Sequence, residues 1–297
     1  MQISAIANMN WRTKKRIRNT VTSVIAYTLT SALALIFAMP FIWMVNLSLQ
    51  NPVQQAAYPP EFFARPFTWS NYPTAMTYPQ RPFATYFRNS LIYTSVATAG
   101  VALSSSLVAY SFARLSFKGR DVLFVLILST MMLPSQVTLI PQYIIFHRLR
   151  WIDSLRPLII PPWFGSAFYI ILLRQFFLTI PRELDEAAVL DGCNYFSIWW
   201  RIMLPLAKPA IVTVIAFSIV GTWNDFMGPL IYLNSNRNLT ASVGLALFRQ
   251  MAGDGGFTDR GILMAASVTT LIPMIILFLI AQRYFVTGIA MTGLKEG

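Results

Sequence analysis

Residues 181–209 read PRELDEAAVLDGCNYFSIWWRIMLPLAKP, a polar interruption between two long apolar runs. Pro181 suits the first position of a helix, where its missing N–H costs nothing. Glu183, Asp185 and Glu186 crowd the first turns, where carboxylates favour the positive helix end. Leu184, Ala187, Ala188 and Leu190 supply an apolar or small face. Gly192 can adopt the left-handed geometry that ends a helix and turns the chain. From Asn194 to Leu204 a second amphipathic stretch follows. Its Phe196, Trp199, Trp200 and Met203 fall at i, i+3, i+4 and i+7, which predicts one buried helix face. Pro205 and Pro209 stop it, and the next apolar run begins. Two short helices around a tight turn are therefore expected here, although a solvated loop with some helix would carry similar residues.

Working outward, the 297-residue chain is 56% hydrophobic and 11% charged, with mean hydropathy +0.55. A soluble domain carries about 25% charged residues, so the composition is that of a multi-span membrane protein. The net charge of +12 does not point to nucleic acid, because the basic residues are dispersed between apolar runs, where they orient a membrane protein. A single cysteine, Cys193, excludes an intrachain disulfide. The one histidine, His147, sits beside Arg148 and Arg150 in a short loop and is read as a loop residue, so no metal site is expected.

About 20 apolar residues span a bilayer. On that measure spans are expected near 22–45, 89–113, 122–143, 157–177, 210–233 and 261–282. A basic start (Arg12, Lys14, Lys15, Arg16, Arg18) precedes the first, which is too long for a signal peptide and is read as retained. Segment 51–88 carries seven prolines interleaved with aromatics such as Tyr58, Phe62, Phe63 and Trp69, and is expected to pack at the membrane interface. The small residues of the second span, among them Ala97, Gly100, Ala102 and Ser105, suit close helix packing in lipid. Pro134 and Pro141 are expected to kink or break the third. Arg174, near the end of the fourth, can snorkel. With an even number of spans and the N-terminus inside, all five lysines (Lys14, Lys15, Lys118, Lys208, Lys295) lie inside, as the positive-inside rule requires. The 181–209 loop is then cytoplasmic.

No Gly-Lys-Ser or Gly-Lys-Thr occurs, so the chain does not itself hold ATP in a phosphate loop. Asp225 is the only acidic residue inside a clear span, and such a residue is a functional candidate by default. Its context, Trp223-Asn224-Asp225-Phe226 followed by Gly228-Pro229, predicts an interrupted helix. One reading has Trp223 to Phe226 lining a path for a hydroxyl-rich solute. The other makes Asp225 a helix-end cap or an interhelical hydrogen-bond partner.

Within this frame EAAVLDGCNYFSIWWRIMLP resembles the EAA loop of bacterial ABC importer permeases. Glu186-Ala187-Ala188 opens the pattern, Gly192 follows after three residues, and Ile202, Leu204 and Pro205 close it. FTWSNYPTAM and FRNSLIYT are similar to the segment before the second span of sugar permeases of this family. WNDF and the tail QRYFVTGIAMTGLKEG resemble those of its MalG-like, maltose-type members, although the last residues depart from that pattern. The resemblance implies an all-α integral membrane protein with six transmembrane helices and both termini cytoplasmic. It implies a permease domain over 22–284 between an N-terminal segment 1–21 and a tail 285–297, and a coupling helix between the fourth and fifth spans. Glu183, Glu186, Ala187, Ala188, Asp191, Gly192, Leu204 and Pro205 would contact an ATPase, with Gly293, Leu294 and Lys295 of the tail adding to that contact. A non-catalytic subunit is implied, in the bacterial cytoplasmic membrane, with ATP and Mg bound by two partner ATPases. A second, MalF-like permease, an extracytoplasmic solute-binding protein and a carbohydrate substrate are the other implied partners. Two different classes compete: a gradient-driven transporter using Asp225, and an intramembrane enzyme. The latter would need a catalytic pair within the spans, such as two aspartates or a serine with a histidine, and none is present.

Overall fold

The computed structural model describes residues 11–293, apart from 60, 61, 64, 80 and 254–259. The described residues are helical, with no strand among them. The longer helices are α1 (Trp11–Ser48), α2 (Phe83–Arg114), α3 (Arg120–Thr130), α4 (Ser135–Arg148), α5 (Ala167–Thr179), α6 (Glu183–Leu190), α7 (Tyr195–Leu206), α8 (Lys208–Trp223), α9 (Met227–Tyr232), α10 (Ala241–Gly253) and α11 (Arg260–Gly293). Among the described residues, four segments are long and apolar enough to cross a membrane: Lys15–Ser48, Phe83–Arg114, Arg156–Thr179 and Arg260–Gln282. A fifth arises if α7 and α8, bent by 82°, count as one.

The expected third span, 122–143, is two helices of 11 and 14 residues. The break falls at 131–134, because Pro134 adopts an extended ψ of 134° and has no N–H to continue a ladder. Pro141 is accommodated inside α4. The expected fourth span is also interrupted. Arg156–Ile159 and a 3-10 turn at Pro161–Phe164 lead through Gly165, at φ +89°, into α5. The expected 210–233 span ends as helix at Trp223 and resumes at Met227, so the predicted interruption is present.

The molecule is built around α2, half of whose apolar window is buried. It packs mainly on α5 and α8. Its small residues divide by face. Ala97 and Ser105 turn inward, and Gly100 lies so close under the Trp163 indole that an added Cβ would sit 2.5 Å from the ring. Ala99, Ala102 and Ser106 line an open groove on the other side. By contrast α1 is unburied along its apolar window and leans on α11, leaving a helix that is apolar all round for lipid or another chain to cover.

Two cores flank the middle of α2. At the end bearing the 181–209 loop, Tyr110, Leu173, Phe177, Ile198, Trp199 and Met203 close on one another. At the opposite end, Phe83, Tyr86, Tyr232, Phe248 and Ala265 form the second. Here the described residues of 50–79, with segments 151–160 and 227–250, make a cap over the helix ends. Asn71 Nδ2 donates to the carbonyls of Ser48 and Gln50, both at 2.9 Å. Asn89 Nδ2 donates to the carbonyls of Arg237 and Leu239, also at 2.9 Å. Asp153, in the left-handed region at φ 58°, accepts from the amides of Asn234 and Ser235 at 3.0 and 2.7 Å and from the Ser235 hydroxyl. Burial alone would raise the Asp153 carboxyl, but these donors win and hold it down at about 2. The aromatics of 58–69 are exposed, Tyr58 at 96% and Phe63 at 76%, which is where an interfacial belt would put them.

Candidate functional site

The 181–209 loop folds as two short helices set against the core. Its first helix, α6, begins at Glu183 with Arg182 as its cap, two residues later than Pro181 predicts. Glu183, Asp185 and Glu186 occupy its first turn, as the helix dipole favours. It closes with paired bonds: Gly192 N–H donates to Val189 O at 3.0 Å and Cys193 N–H to Ala188 O at 2.9 Å. This is a Schellman end, and it needs a left-handed residue, which Gly192 supplies at φ +82°. Asn194 immediately caps the next helix, its Oδ1 accepting from Ser197 N–H at 2.8 Å. Both helix ends are thus satisfied within three residues, and the turn is rigid.

Within α7 the chain widens into a π turn over Trp199–Met203, with Leu204 N–H reaching back to Trp199 O. The cause is Pro205, whose ring would collide with the carbonyl of Arg201 in a regular α-helix. Ile198, Trp199 and Met203 are buried, while Phe196 is 61% and Trp200 52% exposed. The sequence expectation of one buried face through Phe196, Trp199, Trp200 and Met203 is therefore half right: Trp199 and Met203 are buried, Phe196 and Trp200 are not.

The expected contact residues divide by side. Glu183, Glu186, Ala187, Asp191 and Gly192 are exposed on the free face of the loop, beside Leu184, Val189 and Leu190, the last 89% exposed. Ala188 is turned inward and buried in the core of this chain. Its small size serves packing beneath the loop. Leu204 and Pro205 line a groove of about 610 Å³ that runs between α2 and α8 and also meets Thr94, Thr98, Trp200 and Lys208. Sequence reading missed this groove. Its trace is the stripe Ser95, Ala99, Ala102, Ser106 at helical spacing, of which Ala102 was read only as packing. Also missed was Asp185, whose carboxylate points inward to Arg114 at the end of α2, 3.1 Å away. Burial pushes the Asp185 carboxyl up, and the guanidinium of Arg114 opposes it.

The segment Trp223–Phe226 does not line that groove. Trp223 is buried and donates from Nε1 to Thr270 O at 3.2 Å. Asn224 and Phe226 are exposed. Asp225 sits in the break between α8 and α9. One carboxylate oxygen accepts from Tyr93 Oη at 2.9 Å, and the other from Gly228 N–H at 3.1 Å. Its backbone carbonyl accepts from Ser242 Oγ at 2.6 Å. These bonds cap the resumed helix and tie it to α2 and α10. In the tail, Gly293 ends α11, and Leu294 and Lys295 lie outside the described residues.

Residues 103–291 match the family described as binding-protein-dependent transport system inner membrane component. A probable ABC transporter permease of Bacillus subtilis, YurM, is 36% identical over 87% of this chain and 84% of its own. The trehalose/maltose transport system permease MalG of Thermococcus litoralis is 33% identical over 89% of this chain and 93% of its own. The arabinooligosaccharides permease AraQ of Bacillus subtilis is 36% identical over 71% and 73%. Among solved structures, a chain of a bacterial ABC transporter involved in alginate import superposes with TM-score 0.77. It covers 90% of this chain and 98% of that one at 23% identity, a likeness of fold.

Proposed function

The chain belongs to the family of binding-protein-dependent transport system inner membrane components, and from this premise we propose that it is the membrane subunit of an ATP-driven carbohydrate importer. It forms half of the translocation path and is coupled to separate ATPases through residues 181–209. Relatives named for trehalose, maltose and arabinooligosaccharides support the substrate class. The observation that carries the coupling reading is the free face of α6. A short helix closed by a Schellman end and seated on the core presents Glu183, Glu186 and the 89% exposed Leu190 to a partner. A short helix gripped in a closing cleft moves as a body and carries the attached helices with it. Glu186 offers a charge for an arginine or backbone donor, and Ala187 leaves room for close approach.

In this reading six spans place both termini and the loop in the cytoplasm, with α3 and α4 together making the third. A second, homologous permease completes the path, two ATPases bind ATP and Mg below, and a solute-binding protein delivers the sugar from outside. Closure of the ATPases opens the path outward, and hydrolysis resets it. The chain itself performs no catalysis. A gradient-driven transporter would need Asp225 free to exchange an ion, whereas both its oxygens accept hydrogen bonds from the fold.

The test is ATPase activity of the complex co-purified on this chain, in lipid, with its binding protein and a panel of sugars. Hydrolysis should rise with one liganded binding protein and be lost on deleting Glu183 to Gly192. ATPase activity indifferent to that deletion sinks the proposal.

A further inference from the structure

The loop is joined to the rest of the molecule by a buried ion pair that the docking reading does not use. Arg114 is the last residue of α2, and its side chain is 4% exposed; that of Asp185 is 18% exposed. Arg114 Nη2 donates to Ile180 O at 2.6 Å, at the end of α5, while its Nε lies 3.1 Å from Asp185 Oδ2. One guanidinium therefore grips the residue before the loop and the first turn of α6 together. Arg182 and Glu186 also act on Asp185, but both are exposed. Tyr110, one turn back on α2, is near enough to feel both charges and packs edge-on against Phe177 at 6.4 Å.

Such a pair is a poor source of stability, because two buried charges lose hydration that apolar side chains would not. This one is also under-satisfied: Asp185 Oδ1 and Arg114 Nε are buried without an aligned hydrogen bond. What it does hold is the register of α6 against α2. At its other end α2 grips the cap, through Asn89 to Arg237 and Leu239, Ser90 to the Ala241 amide, and Tyr93 to Asp225. The same 32-residue helix is thus pinned at one end to the loop and at the other to the cap.

We propose that Arg114 and Asp185 are a positioning pair that passes displacement of α6 into α2, so that the cap at the opposite end follows the loop. This rests on the importer reading and specifies its transmission. Neither residue touches the partner: both lie behind the free face of α6.

The experiment uses the full complex with its ATPases, in nanodiscs, with a liganded binding protein. The variants are Arg114→Met, Asp185→Asn, and the exchange Arg114→Asp with Asp185→Arg. In the two single variants the ATPase should still co-purify and hydrolyse at the basal rate. Stimulation by the binding protein should fall on the order of tenfold, within the usual range of coupling between sites. The exchange should restore much of it. A contact that only supports folding would change yield and thermal midpoint and leave the stimulated-to-basal ratio alone. Single variants with full stimulation overturn the proposal, as does an exchange that recovers the thermal midpoint without stimulation, or failure of all three variants to accumulate. If the wild-type chain brings down no ATPase, the importer reading falls as well. A stimulated wild type beside unaffected variants removes this inference alone.

Discussion

Gly192 allows a sharp test of whether the geometry of the 181–209 loop matters. Its φ is +82°, and a Cβ added there would meet nothing within 4 Å. Substitution therefore introduces no clash, and its cost is purely one of backbone conformation. For an ordinary L-residue the left-handed region costs roughly 1–2 kcal/mol. The loop stays anchored by Ala188, Ile198, Trp199 and Met203, so Gly192→Ala should not unfold the chain. The strain falls on the turn itself, and 1–2 kcal/mol lowers the population of the native turn by roughly 5- to 30-fold relative to its alternatives. Asparagine tolerates the left-handed region and valine does not. The expected order of stimulated ATPase activity is Gly, then Asn, then Ala, then Val, at equal membrane yield. Binding-protein-stimulated hydrolysis by the purified complex provides the assay, with yield and thermal midpoint as controls. Gly192→Val equal to wild type would refute the claim that the turn must be left-handed. Gly192→Asn as inactive as Gly192→Val would also refute it, since side-chain bulk at the docking face would then be the determinant.

Other outcomes follow from the cap. A Cβ at Gly244 would stand 2.3 Å from the ring of Tyr86, which is fully buried, so Gly244→Ala should lower stability by about 1–3 kcal/mol through overpacking, read as thermal midpoint in detergent. Tyr86 Oη is buried with no hydrogen-bond partner among the described residues, so Tyr86→Phe should be neutral or raise that midpoint, because no satisfied group is lost. The folded-state pKa of Asp153 is lowered to about 2, below an unfolded carboxylate near about 3.9. Its stabilisation is therefore fully present above about pH 4 and is lost as pH falls through about 2. The protection factors of the 233–239 amides, exchange measured relative to the intrinsic rate at each pH, should fall over that window in the wild type. Asp153→Asn should show faster exchange already at pH 7 and no further step between pH 4 and 2.

Much of the loop was legible because its determinants are local. Acidic residues at a helix start and glycine at a helix end act over a few residues, and α6 ends at Gly192 as read. The buried face of α7 was half misread because spacing shows that residues share a face but not that the core lies against Ile198, Trp199 and Met203. The interruption at Asp225 was legible from Gly228-Pro229, but its partners Tyr93 and Ser242 were not. The third apolar run reads as one span by composition, yet Pro134 divides it.

A multi-span helical membrane protein with a capped two-helix loop was legible from the residues alone, since hydropathy, prolines and turn residues act within one or two turns of chain. Helix packing set which faces those helices present. It turned Ala188 inward, brought Asp185 to Arg114, opened the groove beside Trp200 and closed the oxygens of Asp225 in hydrogen bonds. Apart from the local Gly228 bond to Asp225, each of these joins residues far apart along the chain, and burial and pairing at such distances are set by how helices pack, which no local pattern records.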